Sequence, residues 1–429
     1  MSPSGGQASD WPDRLATLAL FLVPGLALWL QSGYSYGAAL LGVGALVGAR
    51  RWLRAPQNGW TWAYAVVMLG MALLWGLQLA DPAEHWGQWD RPAKYVLGAA
   101  CLLFASRTAP RPRAQFWGLL LGCVGAGAVA LWQVYWAGIP RATGFPSHHT
   151  SNAIQWGNMA LLMAAMLALQ LLVLYRHLGR WAVAGACVAV LLAVNASVLS
   201  QSRGGWAALA PMLPLGLYLL WRHRPRAARL LLAGTVLAVA AVGALNYRML
   251  DLRWNLMDRE VQTYGNSGKA DNSVGQRLEH WRFAWQAGLE RPVLGWGMRG
   301  YLAEKEKRVA AGQYQSSILL FQNSHNELLD MFVKAGLVGV AWLLLLYGVP
   351  LCMFWPTRAR MAAYAAQPEE VQAQVLALRL GGVCIPVLYA GFGMTVVFLG
   401  PNNGIMFYLF MTMLTWAALQ GMDRRYAKP

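Results

Sequence analysis

The stretch NSHNELLDMFVKAGLVGVAWLLLLYGV, residues 323–349, changes from polar to apolar within a few residues. It opens with two asparagines, a serine and a histidine, and continues as an apolar run to about residue 355. A helix needs about 20 residues to cross the hydrocarbon core of a bilayer, and this run is long enough. The stretch therefore predicts a membrane-spanning helix with a histidine at its polar entrance.

The rest of the chain repeats this apolar pattern. Hydrophobic residues make up 57% of the 429 residues and charged residues only 12%, whereas soluble domains are about 25% charged. Twelve apolar segments are recognisable, at about 15–30, 37–49, 60–80, 92–106, 116–138, 153–175, 181–199, 205–221, 228–245, 327–355, 371–398 and 404–420. The predicted fold class is an all-α polytopic membrane protein with about 12 transmembrane helices, of which the one at 37–49 is marginal in length.

The net charge of +17 is distributed in a pattern that predicts the orientation of the chain. Short clusters of basic residues follow every second apolar segment, while the connections QSGYSYG (31–37) and LGPNNG (399–404) carry no charge. This pattern follows the positive-inside rule and places both termini in the cytoplasm. It favours topology and contact with anionic lipids, rather than nucleic-acid binding, as the reason for the basic balance.

One long connection interrupts the series of spans. Within a single membrane domain, we predict transmembrane helices 1–9 in residues 1–245, a large outer loop in residues 246–324, and helices 10–12 in residues 325–429. The long loop lies outside in this arrangement, and long translocated segments are not subject to the charge rule.

Part of the loop has helical spacing. Arg277, Trp281, Trp285 and Gly288 recur every three or four residues, and Pro292 ends the pattern. The following GWGMRG matches a dinucleotide-binding motif by its letters alone, because no strand precedes it, so we interpret it as a turn. The pair His148 and His149 lies in another outer loop and lacks the further ligands that a metal site needs.

Charged side chains near the outer ends of the spans are candidates for function, because charge beside a membrane is costly. Arg203 stands in SQSRGGW between two spans, Arg277 and Arg282 lie in the loop helix, and Arg91 and Lys94 precede another span. A guanidinium can bind a phosphate through two parallel hydrogen bonds, and several cations together suit a pyrophosphate. Interfacial anchoring of Arg203 and simple solvation of the others are the alternatives.

His325 attracts the most interest, because of its neighbours. Ser324 and Glu327 match the S-x-x-E capping box, which predicts Ser324 as the N-cap and His325 as the first helical residue. The positive end of the helix dipole would keep the imidazole neutral and able to accept a proton. Gly336 and Gly339 predict close packing on a neighbouring helix. A histidine that only forms hydrogen bonds at the helix start is the alternative.

Three motifs in order resemble the O-antigen ligase family, which shares its signature region with O-antigen polymerases and bacterial protein O-oligosaccharyltransferases. They are SQSRGGW (200–206), GQRLEHWRFAWQAGLERPVLGWGMRGY (275–301) and NSHNELLDMFVKAGLVG (323–339). The resemblance implies a twelve-span bundle of the GT-C type in the bacterial inner membrane, with its site on the periplasmic side. As partners we expect membrane lipids and no second copy of the chain, so the predicted state is a monomer.

The resemblance further implies a glycosyltransferase that moves a glycan from undecaprenyl pyrophosphate to an acceptor sugar. For a ligase the acceptor is the lipid A–core oligosaccharide, and the transfer is inverting and needs neither a metal nor a cofactor. The family's histidine matches His325, its arginine after a span end matches Arg203, and its loop arginine matches Arg277; Arg282 is a weaker match. The loop QSGYSYG lacks the acidic motif of metal-using glycosyltransferases of the C type.

Two other functions stay open at this point. A polymerase or a protein O-oligosaccharyltransferase would use the same residues with a different acceptor. A transporter of lipid-linked glycans would place buried charges at mid-membrane in discontinuous helices. The polar groups of this chain gather at one face, with the exception of Arg379, to which the sequence assigns no role.

Overall fold

The computed structural model of the protein describes residues 11–79, 86–144, 152–248 and 273–427, together with residues 251 and 255. Its α-helices are α1 (Trp11–Leu26), α2 (Tyr34–Val47), α3 (Ala49–Leu53), α4 (Gly59–Leu77), α5 (Asp90–Ala105), α6 (Arg113–Leu131), α7 (Ala153–Leu174), α8 (Arg180–Leu199), α9 (Arg203–Ala207), α10 (Leu209–His223), α11 (Pro225–Leu245), α12 (Ser273–Glu290), α13 (Gly297–Ala310), α14 (Glu327–Phe354), α15 (Arg358–Ala362), α16 (Glu369–Gly393) and α17 (Asn402–Tyr426). Short 3-10 or π-helical turns lie at Trp86–Trp89, Trp132–Trp136, Tyr175–His177 and Ser316–Leu320.

Within these described residues, nine helical segments are long and apolar enough to cross a membrane. They are Gly59–Leu77, Arg113–Trp136, Ala153–His177, Arg180–Leu199, Arg203–His223, Pro225–Leu245, Glu327–Ala362, Glu369–Gly393 and Asn402–Tyr426. The other three predicted spans are helical as well, but α1, α2 and α5 contain only 16, 14 and 16 residues. The chain is therefore a helical polytopic membrane protein, while the count of twelve and the GT-C type stay predictions.

The eighth predicted span starts earlier than the sequence indicated. We expected it to begin at about residue 205, but Arg203 is already the first residue of α9, which leads into α10. Arg203 therefore lies on the first turn of a span and not in the turn before it.

The spans α7, α16 and α17 form the centre of the bundle. In their most apolar stretches 83, 83 and 94% of the residues are buried, against 11% in α11 at the periphery. Polar side chains in this centre bind one another: Gln170 donates to Gln115 at 2.8 Å, and Gln115 donates to Thr415 at 2.5 Å. Such bonds tie α6, α7 and α17 together where apolar packing alone gives little specificity.

The two ends of the described chain meet at one end of the bundle. Arg425 lies 3.8 Å from the carboxylate of Asp13, and Arg424 donates to the carbonyl of Ser106 at 2.7 Å. This placement agrees with termini on a common side of the membrane, while the side itself stays a prediction. We call the opposite end, where α11 ends and α14 begins, the loop end.

The described part of the long connection packs on α14 at the loop end. The helical prediction is confirmed by α12, which ends at Glu290 just before Pro292. Phe283 of α12, Tyr301 of α13 and Ile318 form a small second core with Val333 of α14. The rings of Trp285 and Phe332 lie 5.6 Å apart, so this tryptophan packs on the bundle. The predicted domain boundaries around this connection stay predictions.

Candidate active site

The helix that follows His325 begins differently from the predicted capping box. α14 starts at Glu327, and its N-cap is Asn326, whose side-chain oxygen accepts a hydrogen bond from the backbone nitrogen of Leu329 at 3.1 Å. The hydroxyl of Ser324 instead donates to the carbonyl of Asn326 at 2.9 Å. Asparagine is as good an N-cap as serine, so either residue satisfies the helix start. The predicted cap was wrong, and His325 lies in the loop before the helix, not on its first turn.

His325 has an unusual backbone conformation, with a φ of +54°. Residues other than glycine rarely occupy this left-handed region, although histidine does so more often than most. Asn323 supports the turn, because its side-chain oxygen accepts a hydrogen bond from the backbone nitrogen of His325 at 3.0 Å. Such conformations cost free energy and are concentrated at active sites and ligand-binding loops.

Two charged residues of α14 hold this loop against the helix. The carboxylate of Asp330 accepts a hydrogen bond from the backbone nitrogen of Ser324 at 3.0 Å and forms an ion pair with Lys334 at 2.8 Å. Lys334 also donates to the carbonyl of Gln322 at 3.0 Å. Both side chains are buried, and a buried pair is tolerated when its remaining hydrogen-bonding groups are satisfied. The backbone that precedes His325 is thereby fixed.

Glu327 fixes a second segment beside the same loop. Its carboxylate accepts hydrogen bonds from the backbone nitrogens of Phe398 and Leu399, the latter at 2.9 Å. Asn326 donates to the carbonyl of Met394 at 3.1 Å. The connection between α16 and α17 is thus attached to the start of α14 at two places, Met394 and the pair Phe398 and Leu399.

A break within α14 anchors the long loop. Gly336 has a φ of +62°, and a Cβ at this residue would lie 2.2 Å from the carbonyl carbon and oxygen of Val293. Across the break, Leu337 donates to the carbonyl of Pro292 at 2.7 Å, and Trp296 donates to that of Val333 at 2.9 Å. The backbone of the loop therefore completes the hydrogen bonds that the helix loses. Gly336 packs closely, but the predicted partner was wrong: Gly336 contacts this loop segment and not a neighbouring helix.

The ring of His325 lies among aromatic and cationic groups of the loop. Its centroid is 4.5 Å from that of Phe321 and 5.2 Å from that of His280, both in edge-to-face arrangements. Lys305 of α13 lies 3.4 Å from Nδ1 of His280 and donates to the carbonyl of Phe321 at 2.8 Å. The cluster joins α12, α13 and the turn before α14.

Burial and positive charge keep the imidazole of His325 neutral. Burial lowers its pKa from 6.5 to about 4, and the charges of Arg277 and Lys305 contribute in the same direction, against a smaller opposing effect of Asp330. The sequence predicted a neutral ring because of the helix dipole. The ring is neutral, but desolvation and neighbouring cations are the causes that the structure shows.

The two arginines with the closest match to the family motifs lie at the same end of the bundle as this cluster. Arg277 precedes His280 by three residues on α12, a spacing that places both side chains on one helix face. Arg203 begins α9, and a Cβ at the next residue, Gly204, would lie 2.1 Å from the side chain of Thr395. Since Asn326 binds the carbonyl of Met394, the Met394–Thr395 turn connects the start of α9 to the start of α14.

The other three predicted site residues contact protein groups at the same end of the bundle. Arg282 is 56% exposed, lies 3.7 Å from the carboxylate of Glu279 and stands 5.2 Å above the ring of Tyr314. Arg91 stacks on the ring of Trp75 at 3.5 Å and donates to the carbonyl of Leu399 at 2.7 Å. Lys94 binds the side chains of Asp90 and Asn402. Their roles in substrate binding stay predictions.

The sequence raised one candidate metal site, the histidine pair of an outer loop. His148 and His149 lie outside the described residues. Elsewhere, within the ranges that the structure describes, no three His, Cys, Asp or Glu side chains form a group that could hold a metal ion.

His280 and Lys305 were missed by the sequence analysis. His280 could have been found, because it follows Arg277 by three residues on a predicted helix and therefore shares its face. Lys305 gives no such signal, since it lies in the basic and acidic run AEKEKR of residues 303–308, which is typical of a solvated helix. Only the folded loop shows that this lysine, which is 1% exposed, points inward.

The fold and the site define a polytopic helical membrane protein with a histidine and several cations gathered at one end of the bundle. Residues 188–344 match the family model described as O-antigen ligase. This match confirms the resemblance of the region to the O-antigen ligase family. The match includes Arg203, Arg277, Arg282 and His325, and excludes Arg91 and Lys94.

One curated relative extends the similarity beyond this region. An uncharacterized protein of Haemophilus influenzae is 26% identical over 270 residues, which represent 62% of this chain. The aligned part spans 65% of the length of that relative. The likeness supports a shared architecture and adds no activity.

Proposed function

We propose that the protein is an O-antigen ligase of the bacterial inner membrane. It transfers an O-antigen glycan from undecaprenyl pyrophosphate to a sugar hydroxyl of the lipid A–core oligosaccharide at the periplasmic face. The family match over residues 188–344 supports this class of reaction. The observation that carries the proposal is the placement of His325 in a strained loop. The backbone of this loop is held by hydrogen bonds to the side chains of Asn323, Ser324 and Asp330.

In this mechanism His325 is the general base. The oxygen of the acceptor hydroxyl attacks the anomeric carbon of the donor sugar, and the hydroxyl proton passes to the imidazole. The new C–O bond forms as the bond between the anomeric carbon and the pyrophosphate oxygen breaks. Attack opposite the leaving group inverts the anomeric centre. The neutral state of His325 supports this role, because only an unprotonated imidazole accepts a proton.

Arg203 and Arg277 hold the pyrophosphate and stabilise the charge that develops when it leaves. Fixed guanidinium groups near the leaving oxygen stabilise the transition state more than the ground state. Arg282, Arg91 and Lys94 extend the positive surface toward the rest of the donor. The donor is already activated by its pyrophosphate, so the reaction needs no nucleotide, and we assign the leaving charge to these cations without a metal ion.

The break in α14 raises the question of a transporter, since transporters bind substrate at interrupted helices. Here the free groups at the break are hydrogen-bonded by Pro292 and Trp296 of the loop, and Lys334 is paired with Asp330. Arg379 lies toward the opposite end, where it contacts the carbonyl of Met353 at 3.5 Å and interacts electrostatically with Asp423. These contacts favour structural roles for the break in α14, for Lys334 and for Arg379. They therefore support an enzyme over a transporter.

Reconstitution tests the proposal and separates the ligase from its relatives. Purified protein in proteoliposomes is mixed with lipid-linked O-polysaccharide and lipid A–core, with and without a metal chelator, and the products are separated by gel electrophoresis. Ladder-banded lipopolysaccharide that persists with chelator is the expected product, and it should be lost in His325→Ala. Lengthening of the donor without acceptor modification would identify a polymerase. Donor that crosses the bilayer unchanged would contradict the enzyme.

A further inference from the structure

Lys305 is a buried cation that the proposed chemistry does not use. Its side chain is 1% exposed, although it lies on a helix whose neighbouring residues are mostly charged. An isolated charge is expensive to bury, so a lysine in this place needs either strong partners or a function. Lys307, two residues further along, shows the ordinary behaviour, with 76% of its side chain exposed.

The partners of Lys305 match the three donors of an ammonium group. Its nitrogen donates to the carbonyls of Phe321 at 2.8 Å and Ile318 at 3.1 Å, and it lies 3.4 Å from Nδ1 of His280. It also stands 4.5 Å above the ring of Tyr301, a favourable place for a cation. This arrangement assigns the acceptor role to Nδ1 of His280, so the ring proton of His280 resides on Nε2.

The charged and titratable groups that face His325 come from three elements. They are Arg277 and His280 of α12, Lys305 of α13 and Asp330 of α14. Lys305 itself is faced by His280, by Tyr301 of its own helix, and by Asp330 and Lys334 of α14. Because Lys334 already pairs with Asp330, the surroundings of His325 carry excess positive charge.

We propose that Lys305, seated on His280 and on the carbonyls of Ile318 and Phe321, is a positioning residue that places a positive charge and the ring of His280 beside His325, and so tunes this base to the anionic donor that binds beside Arg277. The inference rests on the proposed function of His325 as the base. Lys305 touches no reacting atom; it acts through its charge and through the ring of His280, which lies against the ring of His325.

A consequence of this arrangement is that donor binding strengthens the base. In the empty site the pKa of His325 is about 4, which makes it neutral but weakly basic. The pKa of Lys305 is lowered by burial to about 7, so the lysine is charged throughout the acidic range in which His325 titrates. A bound pyrophosphate offsets the positive charges and raises the pKa of His325 toward the working pH, where a base is most effective.

The pH dependence of transfer by the full-length protein in proteoliposomes tests this inference. The acid limb of kcat/KM for the lipid-pyrophosphate donor reports the free enzyme, and that of kcat reports the bound complex. We expect the limb of kcat at higher pH than the limb of kcat/KM. In Lys305→Met the limb of kcat/KM should move up by about one pH unit, because a nearby positive charge is removed.

Three further variants complete the design. Lys307→Met removes an equal charge from the exposed side of α13 and should leave the acid limb of kcat/KM in place. Lys305→Arg keeps the positive charge and should also leave this limb in place. His280→Gln keeps an acceptor for Lys305 and removes the ring beside His325, so it should lower kcat without moving the acid limb. If Lys305 had only a structural role, Lys305→Met would have a lower thermal stability than the wild type. The acid limbs of kcat and of kcat/KM would then stay at their wild-type pH.

A second readout does not depend on transfer. Carbethoxylation of His325 by diethyl pyrocarbonate, followed by peptide mass spectrometry, measures the neutral fraction of its imidazole at each pH. The midpoint should move upward in Lys305→Met and stay in Lys307→Met; equal midpoints in all three proteins would overturn the role of Lys305. Failure of the proposed function would be recognised differently, as normal transfer by His325→Ala.

Discussion

The carboxylate of Glu327 lies 2.9 Å from the backbone nitrogen of Leu399, which joins the first residue of α14 to the connection between α16 and α17. The same carboxylate accepts a hydrogen bond from the backbone nitrogen of Phe398. One side chain thus accepts hydrogen bonds from two backbone amides that lie outside the helices. This contact fixes the position of the loop that carries His325 relative to the turn that approaches Arg203.

Replacement of Glu327 by alanine should therefore destabilise the protein and impair transfer together. Each buried amide left without an acceptor costs about 1–3 kcal/mol. Glu327→Gln keeps one acceptor oxygen and should fall between the wild type and Glu327→Ala. Thermal unfolding in detergent measures the first effect and reconstituted transfer the second. Wild-type stability in Glu327→Ala would show that the contact is dispensable.

Substitution of Gly336 should be far more harmful than substitution of another glycine of the same helix. An alanine at Gly336 meets the carbonyl of Val293 at 2.2 Å and must adopt a φ of +62°, so we expect a loss of well over 1 kcal/mol. Gly348→Ala is the matched control, because a Cβ there has no neighbour within 4 Å. Similar melting temperatures for the two variants would contradict the interrupted helix.

Acid should destabilise the loop cluster in a defined pH range. The folded-state pKa values of His325 and His280 are about 4 and about 3, below the ordinary value of 6.5, mainly because of burial. The unfolded chain then binds more protons below pH 6.5, so stability is complete above this pH and is lost as the pH falls toward 3. Melting temperatures at pH 7.5 and 5.0 should differ less in His280→Phe than in the wild type. An unchanged difference would argue against a buried neutral His280.

The two arginines of α12 should contribute unequally to transfer. Arg277 shares a helix face with His280 and its charge acts on His325, whereas Arg282 is 56% exposed and lies near Glu279 and Tyr314. We expect Arg277→Ala to lower kcat/KM by about two orders of magnitude or more, as for other groups that stabilise a leaving charge. Arg282→Ala should have an effect of about tenfold or less. A larger loss in Arg282→Ala would place the pyrophosphate on the exposed face of the helix.

Much of the fold follows from patterns that act over short distances. Apolar runs of sufficient length predict spans, and nine of the twelve predicted segments form helices long and apolar enough to cross a membrane. The loop helix was also predictable, because the spacing from Arg277 to Gly288 and the stop at Pro292 depend on local geometry. The short helices α1, α2 and α5 show where length alone leaves the number of spans undetermined.

The details of the site depend on contacts between distant segments. Ser324 and Asn326 are both good caps, and the choice between them is decided by the contacts of Asp330 and Met394. The break at Gly336 exists because Pro292 and Val293 supply carbonyls to it, which the sequence of the helix does not encode. Lys305 looks like a surface residue until the turn at Phe321 folds over it. His325 itself was predicted correctly as a neutral ring, but for a different physical reason.

In the proposed reaction, His325 accepts the proton of the acceptor hydroxyl. The most direct test of this role is the single-turnover rate of glycan transfer by His325→Ala, with and without added imidazole. A general base contributes about 10²–10⁴-fold, so we predict a loss of this size and a partial recovery that increases with the concentration of neutral imidazole. Transfer within twofold of the wild-type rate by a folded His325→Ala protein would exclude His325 as the general base.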